Sequence, residues 1–191
     1  MTNRVEIDSG CVLRRWRMED REALIQYANN RRVWLNLRDR FPHPYTESDA
    51  NAWLAYATIE QSSPWVFAIE VDGKAAGGIS LEGGADIERH SAEIGYWLGE
   101  PFWGRGIATA AARAITARAF EETDLYRLYG CVFAWNPSSM RVLEKAGYSR
   151  EGVLVRSAVK DGILIDRVIY AITRDPGLRY ARAPHMSADG P

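Results

Sequence analysis

The hydrophobic positions of this chain recur with two periods, one of two residues and one of three to four, and the periods take turns along the sequence. Val12 to Trp16 reads as a strand, and Asp20 is placed as the N-cap of a helix carrying Ala23, Leu24, Tyr27 and Ala28 on one side. A short helical piece from Arg31 to Leu37 leads into a Phe41-Pro42-His43-Pro44-Tyr45 loop. Thr46-Glu47-Ser48-Asp49 then opens a helix through Trp53, Leu54, Ala57 and Ile59, stopped by Ser62-Ser63-Pro64. Trp65 to Val71 and Lys74 to Leu81, joined by Asp72-Gly73, predict a hairpin. After an acidic loop from Glu82 to Arg89, Ser91 to Leu98 alternates as a strand, with Ala92, Ile94, Tyr96 and Leu98 on one face and Glu93, Gly95 and Trp97 on the other. Tyr126 to Phe133 reads as a strand and Asn136 to Ala146 as a helix. Val153 to Val159 and Ile163 to Ile172 form a last hairpin turning at Lys160-Asp161-Gly162. No repeat and no linker divides the chain, so the expectation is one domain over residues 1–173, followed by a flexible tail over residues 174–191 that has no period.

The most regular helix begins at Ile107. Ile107, Ala111, Ile115 and Ala119 recur every four residues, with Ala108, Ala112 and Phe120 widening the stripe, while Arg113, Arg118 and Glu121 are read as the opposite face. Its mouth is Trp103-Gly104-Arg105-Gly106-Ile107-Ala108-Thr109. A glycine-rich turn feeding a helix N-terminus lets backbone N–H groups approach an anion, and the helix dipole adds partial positive charge. Neither common phosphate loop is present, because the Gly-Lys-Ser/Thr of one is absent and Thr109 stands where the other needs a small residue. A plain strand-to-helix turn needing positive φ explains the same glycines.

Thirty residues on, Asn136-Pro137-Ser138-Ser139 starts a helix with an N-cap and a proline at its first position, and Gly147 ends it. These features are all accounted for by helix capping, so from the residues alone Asn136 is a cap first.

Composition narrows the function classes. The 24 basic and 25 acidic residues give a net charge of −1, and no basic run occurs, so no field favours nucleic acid. No apolar run has membrane-spanning length and the N-terminal residues hold no hydrophobic signal core, from which a cytoplasmic protein is expected. Two cysteines, Cys11 and Cys131, form neither a disulfide framework nor a metal-ligand spacing. No metal is expected, and Cys131 is read as a small buried hydrophobe.

Three stretches, in this order and spacing, resemble the Gcn5-related N-acetyltransferase superfamily, most closely its RimJ/RimL-type branch of ribosomal-protein N-terminal acetyltransferases. They are Ala92-Glu93-Ile94-Gly95-Tyr96-Trp97-Leu98, Trp103-Gly104-Arg105-Gly106-Ile107-Ala108, and Asn136-x-x-Ser139-x-Arg141-Val142-Leu143-Glu144-Lys145-x-Gly147-Tyr148. Leu13-Arg14, Asn36-Leu37-x-Asp39-x-Phe41-Pro42-x-Pro44-Tyr45-Thr46 and Lys160-Asp161-Gly162 extend the resemblance over about residues 12 to 172. The superfamily loop usually begins with Gln or Arg where this chain has Trp103, a tryptophan familiar in the RimJ/RimL branch.

The resemblance implies a mixed α/β fold, a mostly antiparallel sheet with one splayed strand pair and flanking helices, and acetyl-CoA as co-substrate. The pantetheine arm is expected to pair with backbone groups around Trp97 and Leu98. The pyrophosphate is expected on the turn from Trp103 and Gly104 into the N–H groups of Arg105, Gly106, Ala108 and Thr109, with Asn136 contacting the pantetheine or holding the strand end. Glu93 occupies the position of a base for the acceptor amine, an outward-facing strand charge being the alternative. The tyrosine acid that many members carry seven residues beyond the asparagine is Leu143 here, and Ser139 matches the serine proposed to replace it in the RimJ/RimL branch. A first-turn helix serine explains Ser139 equally. Trp34, Phe41, His43 and Tyr45 are expected either to line the acceptor pocket or to pack the N-terminal region on the sheet, and the acceptor is a primary amine: first a protein or peptide N-terminus, with a small polyamine, amino sugar or antibiotic as the alternative. A non-catalytic acyl-CoA-binding domain is the third reading. An aromatic content of 11% and the habit of related acetyltransferases suggest a homodimer.

Overall fold

The computed structural model describes residues 4–8, 10–59, 65–175 and 177. Their strands are β1 (Arg4–Asp8), β2 (Cys11–Arg14), β3 (Val66–Val71), β4 (Lys74–Gly83), β5 (Ser91–Leu98), β6 (Arg127–Phe133), β7 (Ser149–Lys160) and β8 (Ile163–Thr173). The helices are α1 (Arg21–Ala28), α2 (Arg31–Trp34), α3 (Glu47–Ala57), α4 (Ile107–Glu122) and α5 (Pro137–Lys145). The strands make one sheet in the order β1-β2-β3-β4-β5-β6-β8-β7. Every neighbouring pair is antiparallel except β5 and β6.

That exception positions the site. β5 and β6 pair in parallel over three rungs, Ser91 with Arg127, Ala92 with Leu128 and Glu93 with Tyr129, although β5 runs on to Leu98 and β6 to Phe133. Beyond Glu93 the two strands splay. Both C-terminal ends therefore lie at the mouth of the opening, and each strand hands the chain to a helix whose N-terminus is at that mouth, α4 after β5 and α5 after β6.

The alternation of β5 sorts its side chains onto two faces. Ala92, Ile94 and Leu98 join Leu128, Val132 and Val168 in a core covered by Ile107, Ala111 and Ile115 of α4 and by Leu143 of α5. On the other side of the sheet a second core gathers Trp16, Leu24, Ala28, Tyr45, Ala50 and Leu54 against Ala68 and Ala75. Thr46 caps α3 with a capping box closed by Asp49, and Asn30 caps α2 by accepting from the N–H groups of Arg32 and Val33.

Three readings of the sequence are corrected and one strand is added. Asp20 does not cap α1 with its side chain; its carboxylate grips the buried Arg14 guanidinium with two contacts of 2.7 Å, and Glu70 takes another edge of the same cation. Arg118 belongs to the buried side of α4, at 8% exposure. Eleven residues make about three helical turns, so Arg118 lies under Ile107, where it pairs with Glu122 and stacks over Trp65 and Phe67. The stretch from Glu82 begins as strand, since β4 runs to Gly83. β1, which has too few residues to show a period, adds an edge strand that pairs with β2. Apart from residues 174, 175 and 177, the expected tail lies outside the described residues.

Candidate active site

The turn into α4 has the backbone that an anion cradle needs. Gly104 and Gly106 have φ of 74° and 79°, the left-handed region that favours glycine, and a Cβ at either would meet nothing within 4 Å. The space in front of the turn is open. Gly106 is the N-cap of α4 and caps it with no side chain, so the first N–H groups of the helix depend on an outside acceptor. Ala108 and Thr109 are half-buried in that first turn, and Arg105 is exposed with its guanidinium 5.8 Å from the Phe102 ring centre. Trp103 has a structural duty: its indole N–H donates to the Leu98 carbonyl at 2.6 Å and pins the turn to the end of β5.

The edge of β5 that faces the opening can be read from its hydrogen bonds. The Gly99 N–H donates to the Ala76 carbonyl at 2.8 Å, toward β4, and a Cβ on Gly77 would lie 2.3 Å from the Trp97 carbonyl oxygen. The Trp97 backbone thus faces β4, and strand alternation turns Tyr96 and Leu98 toward the splay.

Asn136 caps α5, its side-chain oxygen accepting from the Ser139 N–H at 3.1 Å. The Ser139 hydroxyl lies 2.8 Å from the Tyr96 hydroxyl, whose one proton goes either to it or to the Ser139 carbonyl at 3.1 Å. This bond spans the opening from β5 to α5. Burial, opposed by the Ser139 hydrogen bond, pushes the Tyr96 phenol well above its ordinary value, which favours its neutral, hydrogen-bonding form. Leu143 is fully buried and packs on Gly130, where a Cβ would lie 2.9 Å from its side chain, so it belongs to the core.

On the opposite face of β5, Glu93 stands on the last rung before the splay. One terminal nitrogen of Arg38 lies 2.5 Å from each of its carboxylate oxygens. Glu82 is its cross-strand partner on β4 and is held by Arg40 at 3.0 Å, with Arg38 at 3.9 Å. The Glu93 hydrogen bond raises the Arg38 guanidinium further against the burial that lowers it, and Arg40 holds the Glu82 carboxyl below its ordinary value. Tyr129, across from Glu93, is raised first by burial and then by the Glu93 and Glu88 charges.

The aromatic residues form two groups. Phe41 meets Trp97 edge-on at 5.5 Å and also touches Tyr45, which is buried in the second core rather than at the surface. Trp34 stacks on the exposed His43 at 5.5 Å, and the buried Lys160 ammonium sits 3.8 Å above the Trp34 ring centre while donating to Asp39 at 2.7 Å. Arg31 pairs with Asp161, so the tip of the β7–β8 hairpin is clasped to α2. Cys131 is half-buried on the Glu93 side of β6, not in the core. Burial raises its thiol, with Arg167 and Arg38 pulling the other way.

The sequence reading singled out neither Arg38 nor Tyr96. Arg38 reaches Glu93 across 55 residues, a separation with no local signal. The facing of Tyr96 was legible from alternation; the partner of its hydroxyl was not. Among the described residues no group of His, Cys, Asp and Glu is arranged to hold a metal ion, and no helix is long and apolar enough to cross a membrane.

Residues 11–149 match the acetyltransferase (GNAT) domain family. The chain belongs to this family. A putative ribosomal N-acetyltransferase, YdaF, of Bacillus subtilis is 38% identical over 103 residues, covering 54% of this chain and 56% of the relative. The chain thus spans little more than half the length of that relative. Spermidine N(1)-acetyltransferase of Escherichia coli is 30% identical over 150 residues, 78% of each chain. The structure of Mycobacterium smegmatis RimJ in complex with CoA-disulfide superposes with a TM-score of 0.75 at 27% identity, over 85% of this chain and 81% of that one.

Proposed function

We propose that this chain transfers the acetyl group of acetyl-CoA to a primary amine, with the α-amine of a protein or peptide N-terminus as the preferred acceptor. The observation that carries the reading is the opening of the sheet directly beyond Glu93, with the bare N-terminus of α4 at its mouth. Acetyl-CoA supplies the thioester that makes the acyl carbon reactive. The N–H groups of Gly106, Ala108 and Thr109 hold its pyrophosphate, and the edge of Tyr96 and Leu98, where the Leu98 carbonyl also accepts from Trp103, pairs with its amide-bearing arm as an added strand does. The amine nitrogen bonds to the acyl carbon as the carbon–sulfur bond breaks. The amine proton passes to Glu93, directly or through water, and the departing sulfur takes a hydrogen bond from Ser139, whose hydroxyl accepts the Tyr96 proton and so keeps its own for the sulfur.

The acceptor preference follows from proton arithmetic. At pH 7 an α-amine is already roughly a tenth unprotonated, whereas a lysine-like amine is free base about once in 2,500 molecules. A carboxylate shared with Arg38 suits the smaller task. A polyamine acceptor is the second reading, favoured by the likeness to the spermidine enzyme.

An assay of thiol release across peptide N-termini, lysine side chains and polyamines tests the proposal. Turnover with peptide N-termini ahead of the others is expected. Tight acetyl-CoA binding with no turnover on any amine overturns it in favour of a binding domain.

A further inference from the structure

Glu82 and Glu93 face each other across β4 and β5 on the acceptor side of the sheet. Directly opposed residues in an antiparallel pair hold their Cβ atoms about 5 Å apart, and like charges so placed repel. Two carboxylates at that spacing, beside the point where an amine must be deprotonated, are a receptor for a second positive charge on the acceptor. In this chain the receptor is filled from within. Arg38 bridges both oxygens of Glu93 and approaches Glu82, while Arg40 completes Glu82.

We propose that Arg38 is a specificity-determining residue that closes the Glu82–Glu93 pair to polycationic acceptors, leaving an acceptor with a single amine and an adjacent carbonyl, as at a peptide N-terminus. The inference rests on the acetyl-transfer reading and names the acceptor class within it. Arg38 contacts Glu93 through one terminal nitrogen, and each carboxylate oxygen has two lone pairs, so Glu93 can still accept from one incoming amine or water. Closing the pair therefore does not close the base. A polyamine needs more, because its second ammonium must find an anion and both carboxylates of the pair are already held by arginine. Asp39, the carboxylate next to Arg38, is likewise taken by the Lys160 ammonium over Trp34. The other N–H groups of Arg38 are donors of the kind that a first peptide carbonyl accepts.

Arg38 is about half exposed and lies in the loop after α2, so its replacement leaves both cores untouched. The test uses spermidine as the probe, by calorimetric titration into the full chain without acetyl-CoA. Arg38→Gln is expected to bind spermidine at least about 10-fold more tightly than the wild type, and Arg38→Lys, which keeps the charge, to stay within about 2-fold of it. The gain should fade between 50 and 500 mM salt, as screening requires, and vanish in Arg38→Gln/Glu82→Gln. Equal spermidine affinity in Arg38→Gln and wild type overturns the proposal, as does an equal gain in Arg38→Lys. Acetyl transfer measured alongside separates the two claims: failure with every amine sinks the transferase reading, while the binding ratio still judges Arg38.

Discussion

The two faces of β5 are built from different material. Toward α4 and α5, Ala92, Ile94 and Leu98 meet alanine, isoleucine and leucine, and the Tyr96 hydroxyl is tied to Ser139. Toward α2 and the loop after it, Glu93 and Trp97 meet Arg38 and Phe41, and an ion pair and a ring contact replace close packing. The first face offers a ligand backbone N–H groups and one hydroxyl, which most side-chain changes leave in place. The second offers charges held by other charges, which a single substitution can redistribute. Under the proposed function, cofactor binding falls to the first face and acceptor choice to the second.

The largest effect should come from breaking the adjustable face at its base. Glu93→Gln keeps the side-chain volume and removes the carboxylate, and turnover should fall about 10²-fold. The loss should be greater for a lysine-like amine than for an α-amine, and should shrink as pH rises and the acceptor deprotonates itself. Initial rates on paired acceptors between pH 6.5 and 9 measure both trends; a loss independent of pH and acceptor would count against Glu93 as base.

On the other face, Ser139→Ala should slow transfer about 10-fold, the worth of one hydrogen bond to a developing charge, and by the same factor for every acceptor. Tyr96→Phe should give a smaller loss of the same kind, because it removes the orienting partner and leaves the hydroxyl. An acceptor-dependent loss in either variant would erase the division between the faces.

How far each face could be read from the sequence follows from how it is made. Alternation assigned Ala92, Ile94, Leu98 and Glu93 to their sides, and Gly104, Gly106 and Asn136 announced both helix starts, because strand period, positive φ and capping are local properties. The Arg38–Glu93 and Lys160–Asp39 pairs span 55 and 121 residues, and a charge in a loop carries no mark of its partner. Tyr45 hides its packing for a related reason: a loop aromatic shows no period, and only the fold places it in the second core with its backbone N–H tied to Asn29.

The smallest effect compares the cores beneath the two faces. Burial pushes both Tyr45, in the second core, and Tyr148, in the first, up to about 12. The folded chain therefore keeps protons that the unfolded chain releases above about pH 10. Stability is full below that pH and is lost as pH rises toward 12. Melting temperatures from pH 9 to 11 should fall, and Tyr45→Phe and Tyr148→Phe should each flatten the slope. A slope left unchanged by one of them would mean that the fold does not hold that phenol protonated.

The central claim, that the turn into α4 binds acetyl-CoA while the opposite face does the acid–base work, is tested most directly by titrating acetyl-CoA into the wild type, Glu93→Gln and Gly106→Asp. Aspartate meets no neighbour at Gly106 and adopts the left-handed backbone with less strain than most residues, so its main effect is the negative charge it sets before the pyrophosphate. Glu93→Gln should bind within about 2-fold of the wild type, and both should gain roughly 2.7 kcal/mol of stability at a hundred times the dissociation constant. Gly106→Asp should show neither binding nor stabilisation. Wild-type affinity in Gly106→Asp, or lost affinity in Glu93→Gln, would contradict the account.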